Sequence, residues 1–117
     1  MIKEEFLKRT KNFGLRVIRL VVSLPKDQVA IVLGNQLLRS GTSVGANYRA
    51  AVRGKSRADF ISKLGNVEEE CDEALYWMEM LMESGLVKPK LVKNLIDEGV
   101  EILAIVVASI KTARRNK

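Results

Sequence analysis

The chain has no histidine and a single cysteine, Cys71, among its 117 residues. Without imidazole it lacks the most common general base and the most common metal ligand. One thiol cannot form an intrachain disulfide, so a reducing compartment is expected, and a chain of this length can bury a core without a bridge. Aromatics make up only 5% of the residues, and no basic stretch interleaves them into a platform for stacking unpaired bases. The greasiest run, Ile102 to Ala108, is seven residues long, against the roughly 20 needed to cross a bilayer. The opening residues up to Lys8 mix charges and hold no apolar run, unlike a signal peptide. These absences point to a cytoplasmic chain with no membrane partner.

Two prolines and a few glycines divide what remains into four long stretches. Pro25 disfavours helix at Leu24, so a first helix is predicted from about Lys3 to Ser23. Asp27 is placed to cap a second helix reaching about Arg53, and Gly54-Lys55-Ser56 makes a break. Ser56 with Asp59 resembles a capping box for a third helix that stops at Gly85. Pro89 suits the first turn of a fourth helix lasting to about Ala113. Apolar residues recur at helical steps in all four: Phe6, Phe13, Val17, Leu20, Val21 and Leu24; Ala30, Leu33, Leu37, Gly41, Val44, Tyr48 and Ala51; Phe60, Leu64, Val67, Cys71, Leu75, Met78 and Met82; Leu91, Leu95, Ile96, Gly99, Ile102, Leu103, Val106 and Ile110. Four matched helices with short connections predict an all-α, antiparallel up-down-up-down four-helix bundle, residues 1–117 forming one domain. Ser40-Gly41-Thr42-Ser43-Val44-Gly45 has poor helix propensity, and a loop is the alternative there. The apolar phase nevertheless runs through it from Leu37 to Tyr48, which favours a continuous, tightly packed helix.

Two helices carry more apolar surface than one core stripe needs. Leu7, Leu15, Ile18 and Val22 flank the stripe of the first, and Tyr76, Trp77, Met80 and Leu81 spread around the third. Large exposed apolar groups in such number form a patch that a partner usually covers, so self-association is expected. The candidate interface residues are Leu15, Ile18, Val22, Tyr76, Trp77 and Met80.

Net charge is +6 and is unevenly divided: +4 over residues 1–25, +3 over 26–54, −5 over 55–85 and +4 over 86–117. Lys8, Arg9, Arg16 and Arg19 share one side of the first helix, and Arg39, Arg49 and Arg53 one side of the second, while Arg114, Arg115 and Lys117 end the chain. A basic stripe can follow a phosphate backbone, and arginine binds phosphate bidentately. Lys8, Arg16, Arg19, Arg39, Arg49 and Arg53 are therefore candidate contacts for RNA or DNA, with little sequence preference since no base-reading motif is present. The competing expectation is that Arg39 and Arg49 pair with an acidic stripe, Glu68, Asp72, Glu79 and Glu83, across a helix or subunit boundary, leaving a protein partner instead.

Catalytic and metal readings fail on residue type. Glu68 to Glu73 are carboxylate-rich, but a di-iron bundle needs Glu-x-x-His steps. Cys71 lies on the core stripe, Ser40 and Ser43 have no base, and Gly41 to Gly45 lacks the Lys-Ser/Thr ending of a phosphate loop. No enzyme, metal or cofactor is expected.

The run from Gln36 to Ala51, QLLRSGTSVGANYRAA, with Ser56 to Gly65, Asp72-Glu73-Ala74-Leu75-Tyr76-Trp77 and Ser109 to Thr112, resembles the four-helix-bundle proteins encoded in intervening sequences of bacterial 23S ribosomal RNA genes. The resemblance covers about residues 25 to 113. It implies a small bundle that assembles into a pentamer, without an established activity. The accessory variability determinant of diversity-generating retroelements is a distant branch, a basic pentamer that engages nucleic acid, but it lacks this Arg39 to Tyr48 signature. Many relatives carry a glutamate near Ala50 or Ala51 that is missing here. Ser43 and Asn47, one turn apart, then read as interhelical hydrogen-bonding positions.

Overall fold

The computed structural model describes residues 3–116, so the expectations placed on Met1, Ile2 and Lys117 lie outside the described residues. Four helices follow in order: α1 Lys3–Val22, α2 Gln28–Val52, α3 Arg57–Glu83 and α4 Pro89–Arg115. Each packs against its neighbours in sequence, and α4 closes the ring on α1 along a thinner seam. The result is a rod of 49 × 21 × 20 Å, an antiparallel four-helix bundle.

The helix ends form for the local reasons the sequence supplies. The Asp27 carboxylate accepts from the amides of Val29 and Ala30, starting α2. Ser56 Oγ accepts from the Asp59 amide, while the Asp59 carboxylate reaches the Lys55 amide instead of that of Ser56 itself. At the far end of α3, Gly85 adopts φ +83°, the left-handed region that favours glycine. Its N–H donates to the Met82 carbonyl, and the Val87 N–H reaches back to that of Leu81. Pro89 occupies the first turn of α4, which runs two residues beyond the predicted Ala113.

Through Ser40–Gly45 helix α2 is continuous. The hydroxyls of Ser40, Thr42 and Ser43 donate to carbonyls one turn back, so none is left unpaired. The glycines serve the approach of α1. A Cβ at Gly45 would sit 3.2 Å from the Thr10 carbonyl oxygen, and one at Gly41 only 2.8 Å from both methyls of Val17. Gly14 faces Thr42 from the other side, which fixes the antiparallel register of the pair.

Phe13, Val17, Leu37, Val44, Leu64, Val67, Cys71, Met78, Leu81, Ile102 and Val106 are wholly buried. Each large side chain among them contributes on the order of 1.5–3 kcal/mol. Two apolar assignments are corrected. Leu91, expected in the core, is 63% exposed, and Val92 is buried in its place: the two flank the stripe of Leu95, Gly99 and Ile102 by about 50° on either side, and in this first turn only the Val92 flank is covered. Leu81, expected on the outer flank, is buried because the turn at Gly85 folds Val87 back to its level. Ser43 and Asn47 are also corrected. Both hydrogen-bond within α2, Ser43 to the Arg39 carbonyl and Asn47 to that of Ser43, and neither bridges helices.

Two glycines of similar helical setting should respond oppositely to alanine. Gly41→Ala should lower stability, since about 1–3 kcal/mol of overpacking against Val17 exceeds the roughly 1 kcal/mol of helix propensity gained. Gly65, where an added Cβ would meet nothing within 4 Å, should gain up to about 1 kcal/mol on Gly65→Ala. Urea midpoints at unchanged slope measure both.

Candidate nucleic-acid interface

The topology gathers the start of α1, the end of α2, the start of α3 and the end of α4 at one end of the rod, here called the base. The opposite end carries the α1–α2 and α3–α4 turns. Exposed apolar groups favour the turn half, whereas cations occur at both ends, with Arg19, Lys26, Lys88, Lys90 and Lys93 towards the turns, and are denser on the basal half. Lys3, Lys8, Lys11, Arg49, Arg53, Lys55, Arg57, Arg114 and Arg115 all lie on the basal half. Val22, Val29, Ile31, Val32, Tyr76, Met80 and Leu91 lie towards the turns, with Leu15, Ile18 and Val100 near the middle.

On the basal half, α1 and α2 enclose an open groove of about 480 Å³. Thr10, Gly14, Thr42, Gly45 and Ala46 make a small-residue floor, which the close approach of the two helices leaves shallow. Leu7, Leu15 and Ile18 form the apolar wall, and Lys8, Lys11, Arg49 and Arg53 stand around it. Three of the six cations singled out in the sequence thus converge, and Lys11 joins them unforeseen. Its signal was its spacing: three residues from Lys8, it lies on the same exposed face of α1.

The remaining cations are placed otherwise. Arg19 is exposed and Arg16 half-buried on α1, beyond the groove. Arg39 is bound to the acidic helix, as the competing expectation foresaw, although its partners are Glu70 and Glu73 and not the stripe of Glu68 and Asp72. At 52% exposure this pair is worth little to stability. Arg49 meets no carboxylate within 4 Å among the described residues; neither do Lys8, Arg16, Arg19 and Arg53. Arg9, grouped with them in the sequence, turns the other way. It makes a bidentate, part-buried pair with Glu98 and a third bond to Glu101, clasping α1 to α4. Those hydrogen bonds hold its guanidinium well above its ordinary range, against the opposing effect of burial.

Of the candidate interface residues, Leu15, Ile18, Val22, Tyr76 and Met80 are exposed, Val22 to 80%. Trp77 is half-buried against the core, edge-to-face with Tyr76, and its indole N–H is buried without a partner among the described residues. The exposed Val29, Ile31 and Val32 were not anticipated. Their wheel positions on α2 lie off its core stripe.

No cluster of metal-ligating side chains exists among the described residues, and no helix there is long and apolar enough to cross a membrane. Cys71 is wholly buried and donates to the Gly99 carbonyl at 3.3 Å. Burial first, then the charges of Asp72 and Glu98, push its thiol up to about 12.

Known proteins share this architecture. The family model of the 23S rRNA-intervening sequence protein matches residues 3–108, starting well before the motif-bearing segment. No curated protein matches the chain. A crystal structure of a protein of unknown function from the S23 ribosomal protein family of Bacteroides thetaiotaomicron VPI-5482 is 33% identical, and the match covers 95% of this chain and 99% of that one with a TM-score of 0.88.

The environment of Cys71 makes it a packing residue with almost no thiolate at neutral pH. In native protein it should react with Ellman's reagent no faster than the chain opens, and at once in denaturant. Stopped-flow absorbance checks this, and fast native labelling would contradict it.

Proposed function

We propose, for a chain that belongs to the 23S rRNA-intervening sequence protein family, a non-enzymatic role as a single-domain, cytoplasmic homo-oligomer that contacts RNA or DNA through its basal cations. The family's function is unknown, as is that of the similar Bacteroides protein. One observation carries the reading: unpaired cations converge on one groove at the base while exposed apolar groups collect toward the other end. Ile18 stands where the two meet, on the wall of the groove and at the edge of the apolar half. Copies gather through the upper half, using Ile18, Val22, Tyr76 and Met80, and this brings several basic bases into one array. A pentamer is the assembly proposed. Trp77, whose ring is half-covered, supports Tyr76 in that contact and contributes little area of its own. Phosphate neutralisation by Lys8, Lys11, Arg49 and Arg53, with Arg16 and Arg19 higher on α1, supplies affinity without base selection.

A second reading rests on a specific feature. The groove wall is apolar, and the outer face of α3 sets Tyr76 and Met80 among Glu69, Asp72, Glu79 and Glu83. Such an acidic, apolar ridge complements the groove, so a protein adaptor that uses the same cations for helix docking is the alternative.

Titration against a short RNA and a short DNA separates the two. Binding should weaken steeply with salt for both, and Arg49→Glu with Arg53→Glu should lower affinity at least tenfold and flatten the salt slope by about two counterions. Failure to retain either nucleic acid at low salt would remove the leading reading. For assembly, light scattering after size exclusion should give a multimer for the native chain. Ile18→Glu with Met80→Glu should shift it toward monomer while helicity is kept, since both side chains are exposed in the single chain.

A further inference from the structure

At the base itself, a second cavity of about 760 Å³ opens between the four helix ends. Lys3, Lys55 and Arg57 stand around it, and no acidic side chain lines it. None of the three makes an ion pair within 4 Å among the described residues. The nearest carboxylate in sequence, Asp59, is committed elsewhere: its two oxygens take Lys63 Nζ at 2.8 and 3.0 Å, and one also takes the Lys55 amide. Ser109 and Thr112 of α4 present hydroxyls to the same space, and Phe60, half-buried, gives it an apolar side.

Tyr48 turns this from a basic dent into a built site. The residue is only 6% exposed, stands edge-to-face with Phe6 at 4.7 Å between ring centroids, and lines the cavity. Its hydroxyl makes no side-chain hydrogen bond among the described residues and is open to solvent, while the ring is held against Phe6. A held phenol on the wall of a space ringed by three cations can act as a donor to an anion there. Val52 lines both this cavity and the α1–α2 groove, so the two are neighbours across it.

We infer that the basal cavity receives a terminal phosphomonoester of a nucleotide, its phosphate on Lys3, Lys55, Arg57 and the Tyr48 hydroxyl and its base stacked beside Phe60, whose ring Lys3 Nζ already approaches to 5.7 Å. This deepens the reading above, on which it rests only for the strand that leads away along the groove. The phosphate of a strand end and that of a free nucleoside monophosphate share the same chemistry, and the experiment tells them apart.

Fluorescence anisotropy with a short single-stranded oligonucleotide, carrying a terminal phosphate or a terminal hydroxyl, is the measurement. The phosphorylated strand should bind about tenfold more tightly, the increment expected of charge-assisted hydrogen bonds. Lys55→Glu with Arg57→Glu should erase that preference. Tyr48→Phe, which keeps the ring and its packing on Phe6, should reduce it several-fold with an unchanged unfolding midpoint. Nucleoside monophosphate should compete for the terminal preference at concentrations where the unphosphorylated nucleoside does not. Equal binding of the two strands, with groove variants still weakening both, overturns the cavity and leaves the nucleic-acid reading intact. Binding of the monophosphate without any strand binding does the reverse.

Discussion

The close approach of α1 and α2 is the constraint on which the rest of the bundle depends. Gly14 and Gly45 let backbone meet backbone at Thr42 and at Thr10 and Lys11, and Gly41 makes room for the Val17 side chain. Dispersion across such a contact is dense because no side-chain layer intervenes. It also sets what stands outside: two helices this near one another leave a shallow, small-residue floor, and long cationic side chains rise from both edges of it. With larger residues in place of the glycines the helices would move apart, and Lys8 and Lys11 would no longer share a groove with Arg49 and Arg53. Packing specificity and candidate function therefore originate in the same few positions.

Charge is handled by a similar economy of placement. Arg9 and Arg39 each answer a pair of glutamates on a neighbouring helix, which ties α1 to α4 and α2 to α3. The other arginines of those helices have no such partner among the described residues. Acidic side chains are concentrated on α3, and most of them lie well above the base. A basic end is what remains, and its cations repel one another unless an anion or an acidic surface is present.

Much of the fold was legible in the sequence because its signals are local. Caps at Asp27 and Ser56, the stop at Gly85 and the start at Pro89 each depend on a few adjacent residues. The stripe through the Ser40–Gly45 segment correctly implied a continuous helix. What escaped reading depends on contacts between segments. Leu91 and Leu81 sit near helix ends, where the next turn, and not the periodicity, decides burial. Arg9 looked like its neighbours on the helical wheel until α4 supplied Glu98. The basal cavity was invisible because its walls come from all four helices, and Tyr48 read simply as a core aromatic.

The seam between α1 and α4 has one more consequence. Three sides of the ring are joined broadly, whereas this one relies heavily on the Arg9 clasp. First openings of the folded state should follow that line of weakness, with α1 swinging on its glycine-lined hinge with α2 like a door on its post. The latch is ionic and partly wet, so strong electrolyte loosens it while leaving the greasy interior of the other three helices closed.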